Sequence, residues 1–304
     1  MTDSSQKKAV WAALISVYIV WGSTYLAIRF AIETLPPFLM AGARFMIAGA
    51  VLYAWRRLRG DAAPSRPEWR SAAMNGILLL LGGNGGVVYA QQWVPSGLAA
   101  LLVTTVPLWM VLMDLLHPSG LRPGRAAVAG VAMGFAGVAL LIGPAEVTGQ
   151  AAHVDLVGAA VLMLASLSWA IGSLYHRGAR LPFSPLLAVG MEMLAGGAGL
   201  LILGMLTGEL SHLNLAAVTA RSFWSWAYLV VFGSWVGFAA YVWLLRAAPT
   251  PLVSTYAYVN PLVAVLLGHF FAGESVTSRV AAATAVIVGS VALTTWKPAE
   301  SSRD

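Results

Sequence analysis

Arg44 and Glu192 carry opposite charges inside long apolar stretches, and they stand at matching places in a sequence that repeats itself with an offset of 148 (44 + 148 = 192). A charged group at mid-bilayer is unfavourable by about 2.5–3.5 kcal/mol on insertion scales, so each needs a partner or a route to the interface. Two chemistries suit the pair: a direct ion pair between the halves of the protein, or two ends of a site for a zwitterionic substrate. Snorkelling of each side chain to its nearer interface is the bland alternative. The register match predicts that the two residues lie at one depth and face the space between the halves.

Other polar and aromatic groups fall into the same register. Trp21, Ser23, Thr24 and Tyr25 make a polar-aromatic cluster in the first apolar run, and Trp169, Ser173 and Tyr175 answer it in the sixth. Aromatic walls with a few polar groups describe a small-molecule pocket. Asn84 stands among Gly82, Gly83, Gly85 and Gly86, a weak helix fit for a cavity wall or a hinge. Gln91, Trp109, Trp235, Tyr241, Tyr256, Tyr258 and Asn260 are further candidate lining residues. Pro107 and Pro261 match one another, and a mid-helix proline frees the carbonyl four residues back. Those carbonyls, of Val103 and Ala257, need protein or cavity water to satisfy them.

The elements that must position these groups are membrane helices. Hydrophobic residues make up 59% of the 304 and charged residues 10%, against about 25% charged in soluble domains. The mean hydropathy is +0.78. Ten apolar spans of roughly the length needed to cross a bilayer are expected near 9–31, 36–57, 71–91, 95–115, 123–143, 154–175, 185–207, 222–245, 250–271 and 278–297. With the N-terminus inside, fourteen of the eighteen Lys and Arg residues fall on cytoplasmic segments and only Arg221 and Arg279 fall outside, which is the positive-inside bias. The basic balance, net +6, is read as topology and not as nucleic-acid binding. Both termini are then cytoplasmic.

The repeat is the organising feature. Trp21 aligns with Trp169, Arg29 with Arg177, Pro37 with Pro185, Gly42 with Gly190 and Gly49 with Gly197; further on, Val106-Pro107-Leu108 reads against Asn260-Pro261-Leu262. Five spans per half is an odd number, so the second half runs opposite to the first. The expected fold is an all-α membrane protein of ten transmembrane helices in two inverted five-helix repeats, 1–147 and 148–304.

No cysteine is present, which removes thiolate metal sites and a cysteine nucleophile. His117, His153, His176, His212 and His269 have no metal-ligand spacing. There is no phosphate-binding glycine loop and no nucleophile elbow, so no enzyme, metal or cofactor is expected.

Trp21-Gly22-Ser23-Thr24-Tyr25, with Arg29 after it and Pro36-Pro37 beyond, resembles the opening of EamA-type members of the drug/metabolite transporter superfamily. Glu192-Met193-Leu194-Ala195-Gly196-Gly197, Ser254-Thr255-Tyr256-Ala257-Tyr258-Val259-Asn260-Pro261 and Gly273-Glu274 resemble second-half motifs of its YedA-type exporters. The likeness implies a central cavity and outward movement of small metabolites or drugs, amino acids and amphipathic compounds among them, across a bacterial inner membrane by alternating access. Arg44, Asn84, Glu192, Tyr258 and Asn260 coincide with its motif positions. Where many relatives have an acidic residue before Val-Pro-Ser-Gly, this chain has Gln91. Glu192 is then the main inner carboxylate for proton coupling, if protons are coupled at all. A facilitative channel and a lipid scramblase are the competing readings. Partners are the bilayer and a small-molecule substrate; a monomer and a homodimer both stay open.

Overall fold

The computed structural model describes residues 3–116, 124–142, 155–248, 250–253 and 255–295. The expected boundary between halves near 144–153, His117, His153, Ser254 and the C-terminal residues 298–304 lie outside these. Among the described residues every regular element is helical. Besides the short segments Glu209–His212, Leu215–Ala217 and Thr250–Val253, they are in chain order α1 (Asp3–Ala31), α2 (Pro37–Leu58), α3 (Arg66–Ala90), α4 in two pieces (Ser96–Val103 and Val106–Leu116), α5 (Arg125–Ile142), α6 (Leu156–Gly178), α7 (Pro185–Leu206), α8 (Ala220–Tyr228, Leu229–Val236 and Gly237–Ala247), α9 (Tyr256–Ala272) and α10 (Ser278–Thr295).

Seven helices are long and apolar enough to cross a membrane: α1 to α4 and α6 to α8. The three shorter apolar helices, Ala126–Ile142, Tyr256–Ala272 and Ser278–Leu293, fall on the expected fifth, ninth and tenth spans. Helix length therefore carries the expected ten crossings as far as seven. Starts are marked by local chemistry. Pro37 and Pro185 open α2 and α7, where a missing N–H costs nothing. Ser65 and Glu68 close a capping box at α3, and Asp155 caps α6.

α2 and α7 form the closest pair. A Cβ on Gly42 would stand 2.9 Å from the Leu201 nitrogen, and one on Gly197 would stand 2.9 Å from the Met46 nitrogen. At the other end, a Cβ on Gly190 would meet the Tyr53 nitrogen at 2.9 Å. Rising numbers in α2 meet falling numbers in α7, so the helices run antiparallel. Small residues permit this approach where lipid supplies no hydrophobic drive. α5 and α10 pair the same way, Gly134 against Ser290 and Gly137 against Ile287. α1 packs on α8 and α9, and α6 packs on α3 and α4. The main apolar core runs through Ile28, Phe45, Leu101, Leu162 and Leu200.

Two helices depart from α geometry at matching places. Ile77–Asn84 in α3 and Leu229–Val236 in α8 are π-helical, and the two differ by 152 at both ends (229 − 77 and 236 − 84). Such segments are rare and concentrate at functional sites.

Candidate functional site

The π segments seat the two repeat-matched tryptophans. Trp21 Nε1 donates to the Gly233 carbonyl at 3.3 Å, and a Cβ on Gly237 would lie 2.3 Å from that same nitrogen. On the other side, a Cβ on Gly83 would lie 2.7 Å from Trp169 Cε3. The glycine cluster around Asn84 therefore serves close helix approach. The Asn84 side-chain oxygen is buried without a protein partner.

Trp21 is walled by Phe238, Tyr241 and Tyr256, with ring centroids 5.3, 5.1 and 5.4 Å away. Ser23 and Tyr228 share a hydrogen bond of 2.6 Å, while Thr24 Oγ1 donates to the Trp21 carbonyl at 2.6 Å. Tyr18 reaches Thr255 through its hydroxyl. Asn260, with its amide turned to satisfy its neighbours, donates to the carbonyls of Tyr256 (3.2 Å) and Tyr18 (3.3 Å). Ser23, Thr24, Trp21, Tyr256 and Asn260 thus form one neighbourhood, where α1 meets α8 and α9. Gln91 stands apart: it is buried at the end of α3, and its amide donates to the Tyr25 carbonyl at 2.9 Å. Its backbone carbonyl accepts from Arg29 at 3.1 Å. Ser173 Oγ returns to the Trp169 carbonyl at 2.8 Å. Trp109 stacks edge-on to Phe135 with its indole nitrogen buried and unpartnered, and Tyr258 packs beside Leu108 and Val291.

Arg44 and Glu192 are both buried, 4% and 6% exposed, and each meets a different partner from the one expected. Arg44 Nε donates to Ser234 Oγ at 3.0 Å, and its guanidinium carbon lies 4.7 Å from the Phe45 ring centre. Glu192 accepts from Asn75 Nδ2 at 2.8 Å and stands 3.2 Å from His176 Nδ1. Asn75 and His176 are themselves 2.6 Å apart. No ion pair joins Arg44 to Glu192 among the described residues. The antiparallel crossing explains it: along α7, position 44 lies near the level of Gly197, several residues from 192. Equal register places the two residues at mirrored heights, not at one depth.

Pro107 does not kink a continuous helix. α4 breaks at Thr104–Thr105 and restarts with Pro107 as its second residue. Hydroxyls add to the backbone bonds there: Thr104 Oγ1 donates to the Ala100 carbonyl (2.8 Å), Thr105 Oγ1 to Leu102 (2.7 Å) and Ser166 Oγ to Leu102 (3.3 Å), beside the Thr104 and Thr105 amides that donate to the same two carbonyls. Pro261 does lie inside its helix.

Comparison with known proteins fits this arrangement. The EamA-like transporter family model matches residues 7–143 and 156–296. The chain belongs to the EamA-like transporter family. It is similar to the "Uncharacterized inner membrane transporter YedA" of Escherichia coli (strain K12), 40% identical over 94% of this chain and 90% of that one. It is 25% identical to the "Uncharacterized transporter YvbV" of Bacillus subtilis (strain 168), over 93% and 90% of the two chains. A protein of known crystal structure shares 25% identity and a TM-score of 0.62, covering 96% of this chain and 98% of the other. Family and relatives make this an EamA-type membrane transporter handling small molecules.

Sequence reasoning missed Ser234, Asn75 and Glu209, and it noted Glu274 only as part of a motif, without a role. Glu209 accepts from the Phe38 and Leu39 nitrogens (3.1 and 2.9 Å) at the start of α2. Glu274 accepts from the Ser96 nitrogen and hydroxyl (2.6 and 2.7 Å) and the Gly97 nitrogen (2.9 Å) at the start of α4. A carboxylate on free amides at a helix start is favourable on both hydrogen-bond and dipole grounds.

Proposed function

We propose that this EamA-type transporter exports small metabolites or drugs across a bacterial inner membrane by alternating access between two inverted five-helix repeats, 1–147 and 148–304, with both termini cytoplasmic. One observation carries the reading. A Cβ on Gly49 would stand 2.8 Å from the Gly190 carbonyl oxygen, and one on Gly197 would stand 3.1 Å from the Gly42 carbonyl oxygen. Adding 148 to 49 and 42 gives 197 and 190, so each contact is the other seen across a two-fold axis. Because the two helices are antiparallel, that axis lies across them, in the plane of a membrane they both span. The antiparallel α5–α10 pair and the matched π segments support the same symmetry.

Substrate sits between the repeats, against α1, α2 and α8, lined by Trp21, Ser23, Thr24, Tyr25, Arg44, Tyr256 and Asn260. Asn84, Trp169 and Ser173 line the related half-site, with Gln91, Trp109 and Tyr258 at its margins. The break at Thr104–Thr105 and the two π segments are where the helices bend as access alternates. Glu192, held by Asn75 and His176, is the carboxylate assigned to proton coupling. Outward direction is what the motif resemblance implies.

The test is reconstitution in vesicles. Saturable uptake with counterflow of a preloaded compound supports the reading. Flux that rises linearly without counterflow indicates a facilitative channel. Fluorescent-lipid redistribution without metabolite flux indicates a scramblase. Cysteine labelling that puts residues 1–8 and 298–304 on opposite sides of the bilayer refutes the inverted repeat.

A further inference from the structure

We infer that Arg44 is the binding group for a substrate carboxylate, so that the transported compound is a singly charged organic acid with an apolar or aromatic body. The inference rests on the transporter reading above and names the substrate class of that site.

The ground is a missing counter-charge. A guanidinium keeps its proton in proteins and offers five N–H donors. Arg44 spends one of them, on a neutral hydroxyl: Ser234, which itself donates to the Leu229 carbonyl at 3.1 Å. The seven carboxylates whose side chains are described are all engaged elsewhere. Glu192 holds Asn75 and His176. Glu209 and Glu274 hold helix starts. Asp61 pairs with Arg56 and Glu33 with Arg221. Glu68 and Asp155 close local caps. Removing a charge from water costs several kcal/mol unless an opposite charge compensates it. In the described structure that compensation does not come from this protein, and a ligand can supply it.

The chemistry of the surroundings narrows the ligand. The guanidinium fork matches a carboxylate through two parallel hydrogen bonds. Arg29 donates to the backbone carbonyl of Gln91 at the end of α3, whereas Arg44 meets α8 at Ser234, so among the described residues Arg44 is the one guanidinium at this place. One cation therefore faces one negative charge. Phe45 lies 4.7 Å from the guanidinium carbon, and Trp21 anchors on Gly233. A Cβ on Gly233 would stand 3.0 Å from an Arg44 terminal nitrogen, so the fork lies along the π segment of α8, beside the aromatic neighbourhood of α1.

The experiment compares acids with their own amides. Purified protein is titrated with a panel of monocarboxylates, from pyruvate and benzoate to phenylacetate and indole-3-acetate, each beside its primary amide. Binding is read by thermal shift and uptake in vesicles. At least one acid is expected to bind the wild-type protein about 10-fold or more tighter than its amide. Arg44→Gln is expected to erase that preference, Arg44→Lys to weaken it, and Ser234→Ala to keep it. Equal protection by acid and amide, no acid bound by wild type, or a preference surviving in Arg44→Gln overturns the inference; the first two need no variant to fold. If a neutral or cationic compound shows counterflow in the same vesicles while no acid binds, the carboxylate assignment fails and the transporter reading stands. If nothing is transported, the transporter reading fails with it.

Discussion

Gly49 and Gly190 bring α2 and α7 into backbone contact: a Cβ on Gly49 would stand 2.8 Å from the Gly190 carbonyl oxygen and 2.9 Å from the Leu194 nitrogen. Backbone cannot rotate aside as a side chain can. The contact therefore demands glycine for space, since neither residue has positive φ.

Gly49→Val is expected to destabilise the protein by about 1–3 kcal/mol or more, the usual cost of overpacking, seen as a lower melting temperature in detergent. Gly124, where an added Cβ meets nothing within 4 Å, is the control: Gly124→Ala should stay within about 0.5 kcal/mol of the parent. Equal behaviour of the two variants would remove the α2–α7 crossing as the tight point of the bundle.

Glu274 joins the end of α9 to the start of α4 by three hydrogen bonds. Glu274→Ala strands the Ser96 and Gly97 amides and is expected to cost about 1.5–3 kcal/mol, the range for bonds to a charged group. Glu274→Gln keeps an acceptor without the charge and should fall between. Glu209→Ala is expected to loosen the start of α2 in the same way, and the two losses should add, since they cap different helices.

Much of this was legible in the sequence, because lipid makes hydropathy a strong constraint and the duplicated motifs share one register. The helical runs fall within a few residues of the expected spans, and Trp21 and Trp169 do lie at corresponding π segments. The failures have physical causes. Reading Arg44 against Glu192 took equal register as equal depth, which fails for two helices that run antiparallel, as α2 and α7 do. The π segment at Leu229–Val236 has one glycine where Ile77–Asn84 has two at its end, so composition flagged one and missed the other. Glu209 opens a short helix between α7 and α8 and Glu274 sits in a loop, and no local pattern says which distant helix start they reach. Pro107 marked an irregularity, but the break lies two residues before it, at Thr104 and Thr105, whose hydroxyls turn back onto the Ala100 and Leu102 carbonyls.

Asp61 lies between α2 and α3, and its carboxyl is held below the ordinary carboxylate range, first by the Arg56 hydrogen bonds and then by Ser184. A depressed folded value stabilises the fold above the unfolded carboxylate pKa of about 3.9, and the benefit is lost as pH falls through the lower folded value. Asp61→Asn is therefore expected to melt below wild type at pH 6, with the gap closing toward pH 3 and below. A gap that stays constant with pH would mean that the charge on Asp61 contributes nothing. The pair is partly open to solvent, so the effect should be small and should shrink with added salt.

Glu192 is the sharper case, because it is buried and held by both Asn75 and His176. Asn75 donates to it at 2.8 Å from a fully buried position, and the half-exposed His176 ring stands 3.2 Å away. A proton on the oxygen that faces Asn75 and His176 would rearrange both contacts, since it turns that acceptor into a donor, whereas a proton on the other oxygen would leave them in place. Glu192→Gln, which fixes the neutral shape, is expected to leave a folded protein whose transport no longer varies with pH. Asn75→Ala is expected to cost about 1–3 kcal/mol in stability by stranding a buried acceptor, and to shift the pH profile rather than flatten it. His176→Gln should move the profile without abolishing it, because the imidazole is the exposed member of the three. Vesicle uptake measured across an imposed pH gradient decides the matter: a Glu192→Gln profile that overlays wild type removes Glu192 from proton coupling and leaves it a structural anchor for α3 and α6 on α7.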